Sequence, residues 1–177
     1  NISRVMGTLA YPARFILLAA QNPCPCGFAT DPERQCTCSP GQVLKYQQKI
    51  SGPIIDRIDM QIEVPRLKYE QLTSTKVAEG SDIIRQRVQQ AREIQQQRFK
   101  ALHLIYNSEM HPQEIKEFCQ IDSESAEILK AAVNQFHLSG RAYHRILKLG
   151  RTIADLEQSA NIKVGHLAEA LQYRFNR

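Results

Sequence analysis

No run of apolar residues in these 177 positions approaches the roughly 20 that a membrane-spanning helix requires. The longest, Phe15-Ile-Leu-Leu-Ala-Ala20, has the length of a strand. No basic stretch with an apolar core and a cleavage site opens the chain, so nothing directs secretion, and a cytoplasmic setting without membrane contact is expected. Also missing are a G-x-x-x-x-G-K-S/T phosphate loop and any apolar strand ending in paired carboxylates. Without them, these residues hold no complete P-loop nucleotide site. Proline nearly vanishes after Pro65, where only Pro112 of the eight remains. The chain opens on Asn1 rather than Met, and Asn1-Ile-Ser-Arg-Val5 reads as the middle of an element, so a portion of a larger protein is expected.

What is present is ordinary globular material. Hydrophobic residues make up 42% and charged residues 23%, a balance that excludes wholesale disorder and allows a sizeable core. The net charge is +5, from 23 basic and 18 acidic groups. Residues 1–76 carry nine basic and six acidic groups and residues 77–177 carry fourteen and twelve, so the excess is diffuse. A diffuse excess permits a nucleic-acid partner without requiring one; a solvated mixed-charge surface explains it equally well.

The loss of proline divides the chain near residues 66–80 into two parts, 1–76 and 77–177. In the first, the apolar run from Arg14 to Ala20 predicts a strand buried on both faces. Ile58-Asp-Met-Gln-Ile-Glu-Val64 alternates with period two, predicting a strand with one wet face that stops at Pro65. A helix over Gly41–Ile50 and a break at Ser51-Gly-Pro53 lie between them. Two strands do not make a stable sheet, so partner strands are expected from elsewhere.

The second part reads as a helical bundle. Ser81 is a candidate N-cap for a helix burying Ile84, Val88, Ala91 and Ile94. Pro112 suits the first turn of a short helix running through Cys119. Asp122 caps a third helix, with Leu129, Ala132 or Val133, and Phe136 inward. Ser139 or Gly140 opens a fourth, in which Ala142, Ile146, Leu149, Ile153 and Leu156 form a core stripe. A last helix covers Val164 to Phe175. No internal repeat is present.

Cys24-x-Cys26 and Cys36-x-Cys38 bracket a loop bent by Pro23, Pro25, Gly27, Pro32 and Pro40. A reducing setting disfavours disulfides, and four thiols closing one short loop suit a tetrahedral Zn²⁺. The C-x-C spacing is tighter than the common C-x₂-C, which leaves free thiols in a rigid loop, or disulfides on oxidation, as alternatives. Cys119, beside Phe118 on a helix face, reads as a small buried hydrophobe rather than a fifth ligand.

Three segments carry a family resemblance: Phe15-Ile-Leu-Leu-Ala-Ala-Gln-Asn-Pro-Cys-Pro-Cys-Gly27, Ile50-Ser-Gly-Pro-Ile-Ile-Asp-Arg-Ile-Asp59, and Ser139-Gly-Arg-Ala-Tyr-His-Arg-Ile-Leu-Lys-Leu-Gly-Arg-Thr-Ile-Ala-Asp-Leu156. Together, and in this order over nearly the whole chain, they resemble the C-terminal portion of the magnesium-chelatase-like AAA+ ATPases of the ComM/YifB type. The resemblance implies an α+β, predominantly α fold: the C-terminal part of an AAA+ core over residues 1–76, with a cysteine insertion at 23–40, and a helical lid over 77–177.

It also implies roles. Asn22 falls at the sensor-1 position near the γ-phosphate, where an amide both donates and accepts without adding charge; read alone, it is a turn residue before Pro23. Arg57 falls at the arginine finger; read alone, it is a surface residue pairing Asp56 or Asp59. Arg141 falls at sensor 2, opening a lid helix; read alone, it belongs to a solvated Arg141, Arg145, Lys148 stripe. Arg4 occupies a place similar to the basic, DNA-facing residue of the hairpin before sensor 1; read alone, it is a surface arginine.

The resemblance implies a cytoplasmic, ring-forming ATPase, a homo-oligomer such as a hexamer, that uses ATP and Mg²⁺. Such an ATPase is expected to remodel DNA in recombination or uptake, with the zinc read from the four cysteines as a structural ion in its cysteine loop. A portion without Walker A and Walker B is expected to be inactive alone. Two other readings stand beside it: a chelatase-type motor for metal insertion into a tetrapyrrole, and a non-enzymatic zinc-bearing module that binds DNA or protein.

Overall fold

A computed structural model of the chain describes residues 1–13, 15–49, 52–69, 73 and 78–174. The division expected at residues 76 and 77 falls outside the described residues. Two compact units stand out, residues 1–49 and 50–177.

In the first unit, β1 (Ile2–Arg4) and β2 (Gly7–Leu9) form an antiparallel hairpin pairing Ile2 with Leu9 and Arg4 with Gly7. Ser3 and Thr8 join their hydroxyls at 2.9 Å, a cross-strand pair that fixes the register. The tip side chains, Val5 and Met6, are fully exposed. This hairpin is the only sheet among the described residues. The strand expected over Arg14–Ala20 is absent from the described residues: Phe15–Ala20 carries no regular structure, and Phe15, Ile16, Leu17 and Leu18 are exposed. A buried central strand needs a ladder on each side, and no described segment supplies one.

Helix α1 (Pro40–Gln47) closes this unit. Its start is written in the sequence: Ser39 Oγ accepts from Gln42 N–H at 3.3 Å, Gln42 Oε1 accepts from Ser39 N–H at 2.9 Å, and Pro40 fills the first turn. The helix ends at Gln47, short of the expected Ile50, which lies outside the described residues.

The second unit opens with the single turn α2 (Gly52–Ile55). The strand expected over Ile58–Val64 is also absent; Gln61 N–H instead donates to Tyr173 C=O at 2.7 Å. The unit is otherwise helical: α3 (Ser81–Arg98), a 3-10 turn (Asn107–Glu109), α4 (Pro112–Phe118), α5 (Ser123–Phe136), α6 (Gly140–Leu156) and α7 (Val164–Gln172). Among the described residues no helix is long and apolar enough to cross a membrane.

Helix α6 is the hub and packs against α3, the 3-10 turn, α4 and α7. Ala142, Ile146, Leu147, Ile153 and Ala154 line its buried face, while Leu149 packs partly buried against the same core. Gly150 lets α7 approach closely, since a β-carbon there would stand 2.9 Å from Leu167 Cδ2. Phe99, Met110, Ile115, Cys119, Leu129, Ile162 and Leu167 complete the core, with Phe99 and Phe118 edge-to-face at 5.7 Å. Cys119 is buried, and burial pushes its thiol up to about 11.

Asp122 caps α5 by accepting from Ser125 N–H at 2.8 Å, which holds its carboxyl below the usual range. Two expectations for helix faces fail. Phe136 is exposed at the end of α5, beside the left-handed cap at His137. In α3 the first ten residues are all exposed, including Ile84 and Val88, and the buried positions are Ala91 and Gln95. Gln95 is inside because its amide oxygen accepts from Asn107 N–H at 3.2 Å, in a polar network that sequence periodicity does not reveal.

Candidate metal centre and arginine cluster

The cysteine loop is shaped by local backbone chemistry. Gly27, at φ +84, closes a turn in which its N–H donates to Cys24 C=O at 3.0 Å. A β-carbon there would meet only the Asn22 side chain, at 4.0 Å, so the left-handed backbone and not crowding calls for glycine. Asp31 Oδ1 accepts from Glu33 N–H at 2.8 Å and Arg34 N–H at 2.9 Å, turning the chain back toward Cys36. Arg34 then stacks over Phe28, 4.0 Å from the ring centre, and Gln47 of α1 donates to Pro23 C=O at 3.4 Å.

These turns bring the sulfurs of Cys24, Cys26, Cys36 and Cys38 within 4.8 Å of one another. Cys24 and Cys26 are 3.3 Å apart, Cys26 and Cys36 3.5 Å, and Cys24 and Cys36 3.7 Å. A sulfur tetrahedron around zinc has edges of about 3.8 Å, from Zn–S bonds of about 2.3 Å. A disulfide needs sulfurs about 2 Å apart, and all four cysteines are free. The backbone N–H groups of Phe28 and Thr37 aim at Cys26 and draw its thiol down to about 5. The Cys38 backbone favours the Cys36 thiolate, but desolvation and the shared protons of Cys26 and Cys24 outweigh it and push Cys36 up. Such a cluster holds protons that a metal would displace, with backbone dipoles already turned toward thiolate. These four residues can hold a metal ion.

Asn22 and Arg4 belong to the same unit. Asn22 is exposed just ahead of Pro23. Arg4 ends β1 beside the hairpin tip and is also exposed.

In the second unit, Arg141 meets the segment that carries Arg57 at Asp56. Arg141 lies in the first turn of α6 and reaches Asp56 Oδ2 only loosely, at 3.9 Å. Arg174, just past α7 with its side chain largely covered, holds Asp56 Oδ1 at 3.1 Å and donates to Ile58 C=O at 3.0 Å. Arg145 donates to Asp56 C=O at 2.8 Å and pairs with Asp59 at 3.1 Å. Arg57 is exposed, and its hydrogen bond is to Pro53 C=O at 3.0 Å. The carboxylates expected to pair with Arg57 are therefore engaged by other guanidiniums. Sequence reading placed Arg145 on a solvated stripe and did not single out Arg174.

Beside Arg141 runs an open groove of about 530 Å³, lined in part by His111, Pro112, His144, Arg145 and Lys148. Lys148 donates to Ser108 C=O at 2.8 Å, and burial lowers its ammonium pKa.

A family model described as "Magnesium chelatase, subunit ChlI" matches residues 1–72, and one described as "Magnesium chelatase, subunit ChlI C-terminal" matches residues 78–174. Competence protein ComM of Haemophilus influenzae is 43% identical over 174 residues, covering 98% of this chain and 33% of that protein. YifB of Escherichia coli is 41% identical over 175 residues, with the same coverage of each. The protein Rv2897c of Mycobacterium tuberculosis is 32% identical over 174 residues, 98% of this chain and 34% of its own. The chain spans about a third of the length of the relatives it matches.

Proposed function

Because the chain belongs to the magnesium-chelatase-like family of the ComM/YifB type, we propose that it supplies the sensor, finger and lid portion of a ring-forming AAA+ ATPase. In this reading residues 1–76 belong to the ATPase core and 77–177 to the helical lid. Asn22 orients the attacking water, Arg57 reaches the phosphates as a finger, and Arg141 acts as sensor 2. Arg4 faces DNA. The phosphate cradle and the Mg²⁺ ligand come from residues outside this sequence, so ATP and Mg²⁺ are cofactors of the assembled protein. The observation that carries the reading is the contact of the Arg141 end of α6 with Asp56, the residue before Arg57. Two exposed guanidiniums on adjoining backbone segments suit the spread of negative charge in phosphoryl transfer.

We assign the motor to the remodelling of DNA, in a cytoplasmic homo-oligomeric ring such as a hexamer. Support comes from likeness to a competence protein; the diffuse net charge of +5 is compatible with it. The full-length ATPase is expected to bind branched DNA with an affinity that falls steeply as salt rises, and to turn over ATP faster when bound. Turnover indifferent to DNA but raised by a tetrapyrrole and a chelatase partner would replace this reading with metal insertion. Binding to DNA with no ATP turnover in the intact protein would favour a zinc-bearing module.

We assign zinc to Cys24, Cys26, Cys36 and Cys38, on the closeness of their four sulfurs, all within 4.8 Å of one another. Freshly purified, reduced protein should contain one Zn²⁺ per chain. Chelation should expose residues 23–40 to proteolysis while leaving helical circular dichroism unchanged. Metal-free protein whose loop resists protease would refute the assignment.

A further inference from the structure

An arginine that acts on a distant phosphate must be free of nearby carboxylates and held on a fixed backbone. Arg57 has a carboxylate on each side, at Asp56 and Asp59, either of which its own flexible side chain could reach. Both are engaged. Arg174 Nη2 holds Asp56 Oδ1 at 3.1 Å, and Arg145 Nε holds Asp59 Oδ1 at 3.1 Å. Each arginine uses a second N–H on the backbone around Arg57: Arg145 Nη1 on Asp56 C=O at 2.8 Å and Arg174 Nη1 on Ile58 C=O at 3.0 Å. The side chains of Arg174 and Arg145 are only 8% and 22% exposed, while Asp56 is 33% and Asp59 69% exposed, so the Arg174–Asp56 pair is the better shielded of the two. Each guanidinium thus spans a carboxylate and a carbonyl at once, which needs its planar fork.

We propose that Arg145 and Arg174 are positioning residues for Arg57, keeping Asp56 and Asp59 occupied so that the Arg57 guanidinium stays unpaired at a fixed place. The proposal rests on the reading of Arg57 as a finger. It makes the finger sensitive to the lid, because Arg145 lies on α6 and Arg174 follows α7.

A double-mutant cycle in the full-length ATPase, read by single-turnover hydrolysis, tests it. Arg174→Gln should lower kcat by about 10- to 100-fold, the scale of a misplaced catalytic group, with KM for ATP within about twofold. Arg174→Lys should not restore it, since an ammonium cannot hold Asp56 and Ile58 C=O together. In an Arg57→Ala background, Arg174→Gln should change kcat by less than about twofold, because its effect passes through the missing side chain. Equal losses in both backgrounds, or unchanged turnover of Arg174→Gln, would overturn the proposal. Full activity of Arg57→Ala alone would instead remove the finger reading on which it rests. If Arg174→Gln fails to fold by circular dichroism, Arg145→Gln, which frees Asp59 to capture Arg57, enters the same cycle with the same criteria.

Discussion

Arg57→Ala in the full-length ATPase is expected to lower ATP turnover by about 10³- to 10⁵-fold while nucleotide affinity and folding stay intact. The size follows from the charge that spreads over the transferring oxygens and from the strength of a guanidinium placed there without water. The benign part follows from the structure. Arg57 is exposed and hydrogen-bonds only to Pro53 C=O at 3.0 Å among the described residues, so its removal leaves no buried charge behind. Asp56 keeps Arg174 and Asp59 keeps Arg145. Arg57→Lys should rescue little, because an ammonium lacks the planar fork. A finger that serves a neighbouring subunit makes each site depend on assembly. Arg57→Ala subunits mixed with a phosphate-loop mutant should therefore recover part of the lost activity at interfaces where each supplies what the other lacks. If the mixture stays inactive while subunits demonstrably exchange, Arg57 does not act across an interface.

The helical unit was legible wherever one local signal decided the outcome. Asp122 and Ser139 cap their helices by accepting from the N–H three residues on, and the Ala142–Ile146–Ile153 stripe is core. The four cysteines were legible as a cluster for the same reason, since their turns are made by nearby proline, glycine and Asp31. The strands were not. Phe15–Ala20 and Ile58–Val64 have strand composition, but a strand exists only through its neighbours, and no described segment pairs with either. The α3 stripe was misread because Ile84 and Val88 are left exposed among the described residues, while Gln95 finds a buried partner.

Charged side chains were the hardest to place. Asp56 and Asp59 read as partners for Arg57 because they adjoin it in sequence; their actual partners lie about 90 and 120 residues away, beyond any local rule. Arg151 and Asp155 read as part of a family motif on a helix, with nothing to mark them as buried. At 100° per residue both lie on the side of α6 opposite the Ala142–Ile146–Ile153 stripe, so the only signal in the sequence was their i, i+4 spacing of opposite charges. Such a pair is expensive when buried unless it is satisfied.

That network carries the largest expected loss of stability. Asp155 is 0% exposed, and both of its oxygens are shared. Arg98 grips it through two N–H groups, Arg151 Nε reaches Oδ1 at 3.1 Å, and Asn107 Nδ2 reaches Oδ2 at 2.8 Å. Further N–H groups are also used: Arg98 on Asn107 Oδ1 at 2.8 Å, and Arg151 on Ala160 C=O at 2.8 Å and Ser159 C=O at 2.6 Å. The carboxylate thereby joins α3, the 3-10 turn, α6 and the loop leading to α7. Asp155→Ala would leave two guanidiniums facing each other with side chains only 12% and 4% exposed, and no anion between them. Breaking a buried pair in this way costs about 3–5 kcal/mol, more than a surface ion pair by several-fold. Denaturant unfolding of this chain should show that loss as a lower midpoint with an unchanged slope. Asp155→Asn should fall between, since an amide keeps the shape and one acceptor but turns a donor toward a guanidinium. Replacing Arg98, Arg151 and Asp155 together by apolar residues of similar volume should cost less than Asp155→Ala alone, because no uncompensated charge remains. A loss below about 1 kcal/mol for Asp155→Ala would mean that water reaches the two arginines, and that the cohesion of these helices rests on the apolar contacts of Ile146, Ile153 and Leu167 instead.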